Sequence, residues 1–264
     1  MQFKNKTALV TGASSGIGKS FAYLLAAQGC NLVLVARSMD KLKAICQDLQ
    51  EKHGITAMAL EQDLSVVGSA QMLFNEVNEK GLSIDLLINN AGFGKWGAFE
   101  EFSLTDYFQM IHLNITSLTE LSYLFLPRLK EKPEAGIINV GSTASLVPVP
   151  YSAVYGATKA YVLSLTEALL GELADTKVQV HCLCPAGTNT NFAKVASGKT
   201  PTANADMKSP DQVAKEGLDA FQAGKHYVIT GRKFALQMLR LFPRRKMVHM
   251  ITDSWKKRIA ELAN

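Results

Sequence analysis

Long apolar runs are missing from this sequence. Nowhere do about 18 hydrophobic residues follow one another, so no membrane-spanning helix is expected. The first residues, Met1-Gln2-Phe3-Lys4-Asn5-Lys6, lead directly into a strand-like segment without an apolar stretch of signal-peptide length. Cysteine is scarce: Cys30, Cys46, Cys182 and Cys184 are the four among 264 residues, with no C-x-x-C pair and no histidine pair at zinc spacing. A disulfide scaffold and a structural zinc site are therefore not expected, and reduced, buried thiols in a soluble cytoplasmic protein are. Glycine (19) and proline (8) hold ordinary shares, which excludes collagen-like and low-complexity chains. No internal repeat and no linker rich in Pro, Gly or Ser divides the chain, so one domain is expected.

What the sequence has in excess is positive charge, +5 overall. Nucleic acid, anionic lipid and anionic small molecules are all compatible with a basic balance. The excess is local. Between residues 232 and 258 nine Lys/Arg stand against one acid, Asp253, making that segment +8 and leaving the remainder at −3. A basic stretch confined to one end of the chain gives nucleic acid little support.

Short β-branched runs alternate with segments of helical period. Strands are predicted at Thr7–Thr11, Asn31–Ala36, Thr56–Leu60, Ile84–Asn89, Ile137–Gly141, Val178–Leu183 and His226–Thr230, with helices over Gly16–Gln28 and Ser38–His53 and between the later strands. Several strands are apolar at successive positions, as when helices cover both faces of a sheet. This predicts an α/β, Rossmann-like, doubly wound parallel sheet of about seven strands with helices on both faces, over residues 1–231. Asn189 to Lys208 is polar and aperiodic, and reads as a lid-like loop. Residues 232–264 read as a basic, helical C-terminal extension. Lys233 to Phe242 precedes Pro243; beyond it Val248, Ile251, Trp255, Ile259 and Leu262 form one apolar stripe, opposite Lys256, Lys257 and Arg258. Three roles fit that extension: packing on its own domain or a partner subunit, peripheral attachment to an anionic membrane, and covering a pocket.

The first strand ends in Thr11-Gly12-Ala13-Ser14-Ser15-Gly16-Ile17-Gly18, and a helix opens at once. Glycines permit a tight turn and close approach to a pyrophosphate, and the helix N-terminus offers free N–H groups to that anion. The second strand ends in Ala36-Arg37-Ser38. An acid there would suit the ribose 2′-hydroxyl of NAD; a guanidinium suits the 2′-phosphate of NADP. Arg37 therefore favours NADP(H) over NAD(H), with Ser38 as an N-cap that adds donors; the alternative is a solvated loop charge.

Tyr155 and Lys159 are four apart and share one helix face. A lysine ammonium favours the phenolate, drawing a phenol of ordinary pKa near 10 toward working range. A surface pair is the plainer reading of these two alone. Tyr151, near the same helix start, has no lysine four residues beyond it.

Together the glycine loop, Asn89-Asn90-Ala91-Gly92, Ser142 and Tyr155-Gly156-Ala157-Thr158-Lys159 resemble the short-chain dehydrogenase/reductase family. Asp63-Leu64, Asn114 and Pro185-Ala186-Gly187-Thr188-Asn189-Thr190 extend the resemblance over roughly residues 5–230. The last motif departs from the family's usual pattern, with Ala186 where glycine is usual and Gly187 one place later. The resemblance implies that Tyr155 exchanges a proton with the substrate oxygen and Lys159 also holds the nicotinamide ribose. Ser142 would hydrogen-bond the carbonyl, and Asn114 would seat a water leading to Lys159. It further implies cofactor contacts from Gly12, Ser14, Ser15, Gly16, Ile17, Gly18, Asp63, Leu64, Asn90, Ala91, Gly92, Pro185, Gly187, Thr188 and Thr190. Phe93, Trp96, Leu146, Val147, Tyr151 and Phe192 are the candidate substrate wall. They are apolar or aromatic with no arginine among them, which points to a lipophilic carbonyl or alcohol. The expected activity is NADPH-dependent carbonyl reduction, reversible as alcohol oxidation, in a homodimer or homotetramer. NAD-linked alcohol dehydrogenation and a catalytically silent redox sensor are the alternatives.

Overall fold

A computed structural model describes residues 1–199, 207–231 and 242–263, with side chains described as far as residue 260. Seven strands lie in one parallel sheet in the order β3-β2-β1-β4-β5-β6-β7. They are β1 Thr7–Thr11, β2 Asn31–Ala36, β3 Ala57–Glu61, β4 Leu86–Asn89, β5 Ala135–Val140, β6 Val178–Pro185 and β7 Tyr227–Thr230. The long helices between them are α1 Gly16–Ala26, α2 Met39–His53, α3 Ser69–Glu79, α4 Leu104–Ile111, α5 Leu118–Lys130, α6 Ala153–Glu172, α7 Phe192–Ser197 and α8 Pro210–Gln222.

Both faces of the sheet are buried. Ala8, Val10, Leu34 and Ile88 point to one core, filled by Phe21 and Leu25 of α1, Leu42 and Leu49 of α2, and Phe221 of α8. Their neighbours Leu9, Val33, Val35 and Leu87 point to the other, under Leu73 and Val77 of α3 and Leu121 and Phe125 of α5. Alternate residues thus feed opposite cores, which is why the strands read as unbroken apolar runs. Helix ends follow local chemistry. Gly54, at φ 65°, closes α2 in the left-handed conformation. Ser209 and Gln212 form a capping box at α8, with Pro210 in the first turn. Ser38 stands at the N-cap of α2 but makes no side-chain capping bond.

The strand bounds shift in an instructive way. β5 begins at Ala135, two residues before the predicted Ile137, and takes in Gly136. A Cβ on Gly136 would come within 2.3 Å of the Phe221 ring, so this glycine admits a helix side chain to the sheet face rather than marking a turn. β6 runs on through Pro185, two residues beyond the predicted end, paired with β7 as Pro185↔Thr230. The first helix ends at Ala26, not Gln28.

The strand order reverses between β1 and β4, which opens a crevice at the carboxyl ends of the strands, the place where such sheets bind ligands. A cavity of about 1970 Å³ lies there. Of the predicted lid, residues 200–206 lie outside the described residues, as do 232–241 of the extension, which hold most of the first helical stretch and three of its basic residues. The helix Arg244–Ala263 is described, and Met247 and Ile251 on it are buried, so its apolar stripe turns toward its own chain. Among the described residues no helix is long and apolar enough to cross a membrane.

Candidate active site

The glycine loop is held from behind by β4. Thr11 Oγ1 accepts hydrogen bonds from the Asn90 and Ala91 N–H groups, both at 3.0 Å, and Asn90 Nδ2 donates to the Thr11 carbonyl at 2.8 Å. Gly12 (φ 66°) and Gly16 (φ 54°) take left-handed backbone that other residues adopt at a cost. A Cβ on Gly12 would meet Asn90 Nδ2 at 2.8 Å. Gly18 does not line the cavity. It lies where α1 crosses the loop, and a Cβ there would come within 2.4 Å of the Gly12 carbonyl oxygen, so its part is close packing. Gly12, Ser14, Ser15, Gly16 and Ile17 do line the cavity, at an α1 N-terminus whose N-cap, Ser15, makes no side-chain capping bond. A cradle of bare backbone at a helix N-terminus fits a dinucleotide pyrophosphate.

At one end of the cavity stand Arg37, Asp63 and Leu64, joined by Lys41, a second cation that the sequence reading missed. Burial disfavours the Asp63 carboxylate, but hydrogen bonds from Ser65 Oγ (2.7 Å) and N–H (3.0 Å), with the Arg37 charge, hold it below the usual carboxylate range. Asn90, Ala91, Gly92, Pro185, Gly187, Thr188 and Thr190 line the middle. The shift of glycine from position 186 to 187 leaves Gly187 with no neighbour closer to its missing Cβ than Met207, at 3.5 Å.

Ser142, Tyr155 and Lys159 come together on this cavity from different elements: the end of β5 and successive turns of α6. Ser142 Oγ accepts the Ala144 N–H at 3.1 Å, which fixes the hydroxyl at the start of a short 3₁₀ turn, Thr143–Ser145. Lys159 is buried, 4% exposed, and donates from Nζ to the Val140 carbonyl at 2.8 Å. Burial lowers its pKa to about 8. Burial also pushes the Tyr155 phenol up to about 12, against a lowering hydrogen bond with Ser142. The shift on the phenol is therefore opposite to the one read from the lysine's spacing: burial dominates, and the lysine Nζ lies 5.9 Å from the ring centre.

Asn114 does not reach the cavity wall. It is buried in a π-helical stretch, His112–Ser117, between α4 and α5. Its Nδ2 donates to the Phe93 carbonyl (2.9 Å) and to Thr158 Oγ1 (3.1 Å), and its Oδ1 accepts the Phe93 N–H (3.2 Å). Thr158, unremarked in the sequence, donates in turn to the Tyr155 carbonyl at 2.8 Å, so it ties Asn114 to the helix that carries Tyr155. The missing Cβ of Gly92 would sit 3.0 Å from Asn114 Oδ1 and 3.4 Å from Lys159 Nζ.

The substrate side is aromatic. The Phe192 ring lies 5.3 Å from that of Tyr155, and Trp96 lies 6.4 Å from Phe192. Gly94 allows this approach, since a Cβ there would come within 2.9 Å of Phe192 and 3.1 Å of Tyr155. Phe93, Trp96, Val147 and Phe192 line the cavity, but Leu146 and Tyr151 do not. Leu146 packs against the cluster of Leu118 and Val162. Tyr151 takes a left-handed φ of 61°, and its carbonyl accepts the Gly97 N–H at 2.9 Å. The C-terminal helix supplies the rest of the wall: Met250, Ile251, Ser254, Trp255, Lys257 and Arg258. This placement matches packing on its own domain, at the rim of the cavity. Arg258 and Lys257 are not on a face opposite the pocket; Arg258 lies 4.2 Å over Trp96 and 5.3 Å from Trp255.

A doubly wound parallel sheet with a glycine cradle at its reversal point, and a serine, tyrosine and lysine beside it, defines a dinucleotide-binding oxidoreductase. The chain belongs to the short-chain dehydrogenase/reductase family: the family model described as short chain dehydrogenase matches residues 6–200. It is 32% identical over 241 residues to the 3beta-hydroxysteroid dehydrogenase of Mediterraneibacter gnavus, covering 89% of this chain and 83% of that protein. A short-chain dehydrogenase from Sphingobium yanoikuyae in complex with NADPH superposes with a TM-score of 0.82 at 32% identity, over 93% of this chain and 95% of that one. A Burkholderia phymatum member of the family in complex with NAD gives 0.82 at 26% identity, over 95% and 96%. Both of these solved relatives thus hold a nicotinamide dinucleotide.

Proposed function

We propose that this protein is an NADPH-dependent reductase of a lipophilic carbonyl compound, reversible as an alcohol dehydrogenase. The observation that carries the reading is the meeting of Ser142, Tyr155 and Lys159 at the foot of an aromatic wall. When bound, the nicotinamide supplies or accepts the hydride. Arg37 and Lys41 would hold the 2′-phosphate, and the α1 N-terminus the pyrophosphate. Ser142 donates to the carbonyl oxygen and steadies the charge that develops there. Tyr155, protonated at neutral pH because burial raises it to about 12, gives that oxygen its proton. Lys159 restores the proton to Tyr155, and Asn114 Oδ1, which lies with Lys159 Nζ beside Gly92, would hold the relaying water. The reading is tested by NADPH consumption against a panel of neutral aryl and alicyclic ketones; failure to turn over any of them, with NADPH bound, would return the protein to the class of silent redox sensors.

Two outcomes follow from the site. Because the Lys159 ammonium is lost as pH rises through about 8, kcat/KM for reduction is expected to hold level below that pH and to fall above it. Alcohol oxidation, which needs the proton off Tyr155, should slope the other way across the same range. Parallel pH profiles would refute the assignment. Gly92→Ala would crowd Asn114 Oδ1 and Lys159 Nζ, and a loss of kcat of about tenfold or more is expected from the disturbed proton transfer. An unchanged kcat would remove the water relay.

Phe99 and the outward residues Leu104 and Phe108 of α4 and Tyr123 of α5 expose apolar surface. Exposed apolar side chains of this size are in keeping with a homo-oligomer.

A further inference from the structure

The C-terminal helix, Arg244–Ala263, carries two faces of different chemistry. Met247 and Ile251 are buried against the body, and the Trp255 ring lies 5.5 Å from that of Trp96. Arg258 is turned inward with them, over Trp96, and is no part of the opposite face. On that face Lys246, His249, Asp253 and Lys256 are exposed at steps of three and four, and Arg245 and Arg244 are exposed in the first turn. Met250 and Lys257, at the edge of the face, are exposed and also line the substrate cavity. So do Val195 of α7 and Lys199 just beyond it, which places all four at the cavity mouth. Arg244, Arg245, Lys246, Lys256 and Lys257 thus stand against one acid, Asp253, and none of them is in an ion pair among the described residues.

We propose that the outward face of the C-terminal helix docks on an anionic lipid bilayer, with the cavity mouth turned toward the lipid. Charge complementarity carries the assignment. Residues 232–258 hold +8 and the remainder of the chain −3, so the molecule has a basic end that a negative surface attracts and an acidic body that it repels. The apolar residues at the mouth select lipid from among polyanions. Val195 and Met250 are 59% and 48% exposed beside the lysines there, and Phe242 is exposed just before the helix. The headgroup–acyl boundary receives such side chains, whereas the phosphate backbone of a nucleic acid gives them no apolar partner. The buried stripe stays on its own domain, so the attachment is electrostatic and reversible rather than an insertion of the helix. A lipophilic ketone dissolved in the bilayer then reaches the cavity without crossing bulk water. This last consequence rests on the reductase reading; the docking does not.

The test is sedimentation of the full-length protein with vesicles of phosphatidylcholine, alone or mixed with phosphatidylserine. Binding to the mixed vesicles should exceed binding to phosphatidylcholine by about tenfold or more, and salt at about 0.5 M should release the protein. Arg245→Gln/Lys246→Gln/Lys256→Gln removes three exposed cations that do not line the cavity. Its affinity for the mixed vesicles should fall by about fivefold per cation, about a hundredfold in all. Emission from Trp96 and Trp255, the chain's two tryptophans, checks that the helix stays seated in this variant. Val195→Ser/Met250→Ser should weaken vesicle binding severalfold and leave binding to duplex DNA unchanged. Failure to pellet with the mixed vesicles at low salt overturns the proposal, as does equal binding to both kinds of vesicle. Undiminished binding by the triple variant with its tryptophan emission intact also overturns it. So does an affinity for duplex DNA above that for the mixed vesicles, which would give the basic face to nucleic acid. None of these measurements needs turnover, so the docking and the reductase reading stand or fall separately.

Discussion

Tyr155→Phe is expected to lower kcat for ketone reduction by about a thousandfold, within the range for loss of a positioned general acid, while NADPH binds as before. The substitution keeps the ring and its 5.3 Å contact with Phe192, so the aromatic wall stays in place and only the hydroxyl is removed. Ser142, a far weaker acid than a phenol, can donate a hydrogen bond but not the proton, Lys159 donates to Val140, and Tyr151 is not on the cavity wall. Steady-state kinetics beside fluorescence titration of NADPH separate the two effects. Activity within about tenfold of the parent protein would exclude Tyr155 as the proton donor, since a general acid contributes more than that.

The second large effect concerns the choice of dinucleotide. Arg37→Glu should weaken NADPH by about a hundredfold and leave NADH within a few-fold, because truncating one partner of a hydrogen-bonded charge pair costs several kcal/mol and the new carboxylate repels the phosphate. Lys41 also faces this end of the cavity and should retain part of the preference, so the double variant Arg37→Glu/Lys41→Ala should lose the remainder. Affinities for NADPH and NADH, measured by titration for all three proteins, decide it. A parent protein that binds NADH as tightly as NADPH would refute the role given to Arg37. Solved relatives carry either dinucleotide, so the fold alone does not fix the choice.

Much of this architecture was legible in the sequence because its signals are local. Strands buried on both faces must be apolar at successive positions, and the order of strands and helices follows from that pattern. The glycine loop was legible for the same reason, since left-handed backbone at Gly12 and Gly16 and the crowding at Gly18 leave few other residues available. Tyr155 and Lys159 were legible as a pair through helix spacing alone. The direction of the Tyr155 shift was not, because desolvation depends on what the rest of the chain places around the ring. Asn114 shows the same limit. Its identity could be read, but its two bonds to the Phe93 backbone and its link to Thr158 span 21 and 44 residues. Leu146 and Tyr151 were placed on the pocket by nearness in sequence to Ser142 and Tyr155, and the turn between them carries both away from it.

By itself, then, the sequence determined the doubly wound sheet and the phosphate cradle through periodicity and short-range spacing, and the serine, tyrosine, lysine and family through the resemblance of motifs in their order along the chain. Tertiary structure alone decided where the C-terminal helix lies. Its apolar stripe is equally suited to a membrane, a partner or its own domain, and hydrophobic burial carries no direction that a stripe could encode. The seating of Trp255 and Arg258 on Trp96 places the helix against its own domain, and brings Lys257 and Arg258, two of the nine basic residues of the extension, to the wall of the cavity.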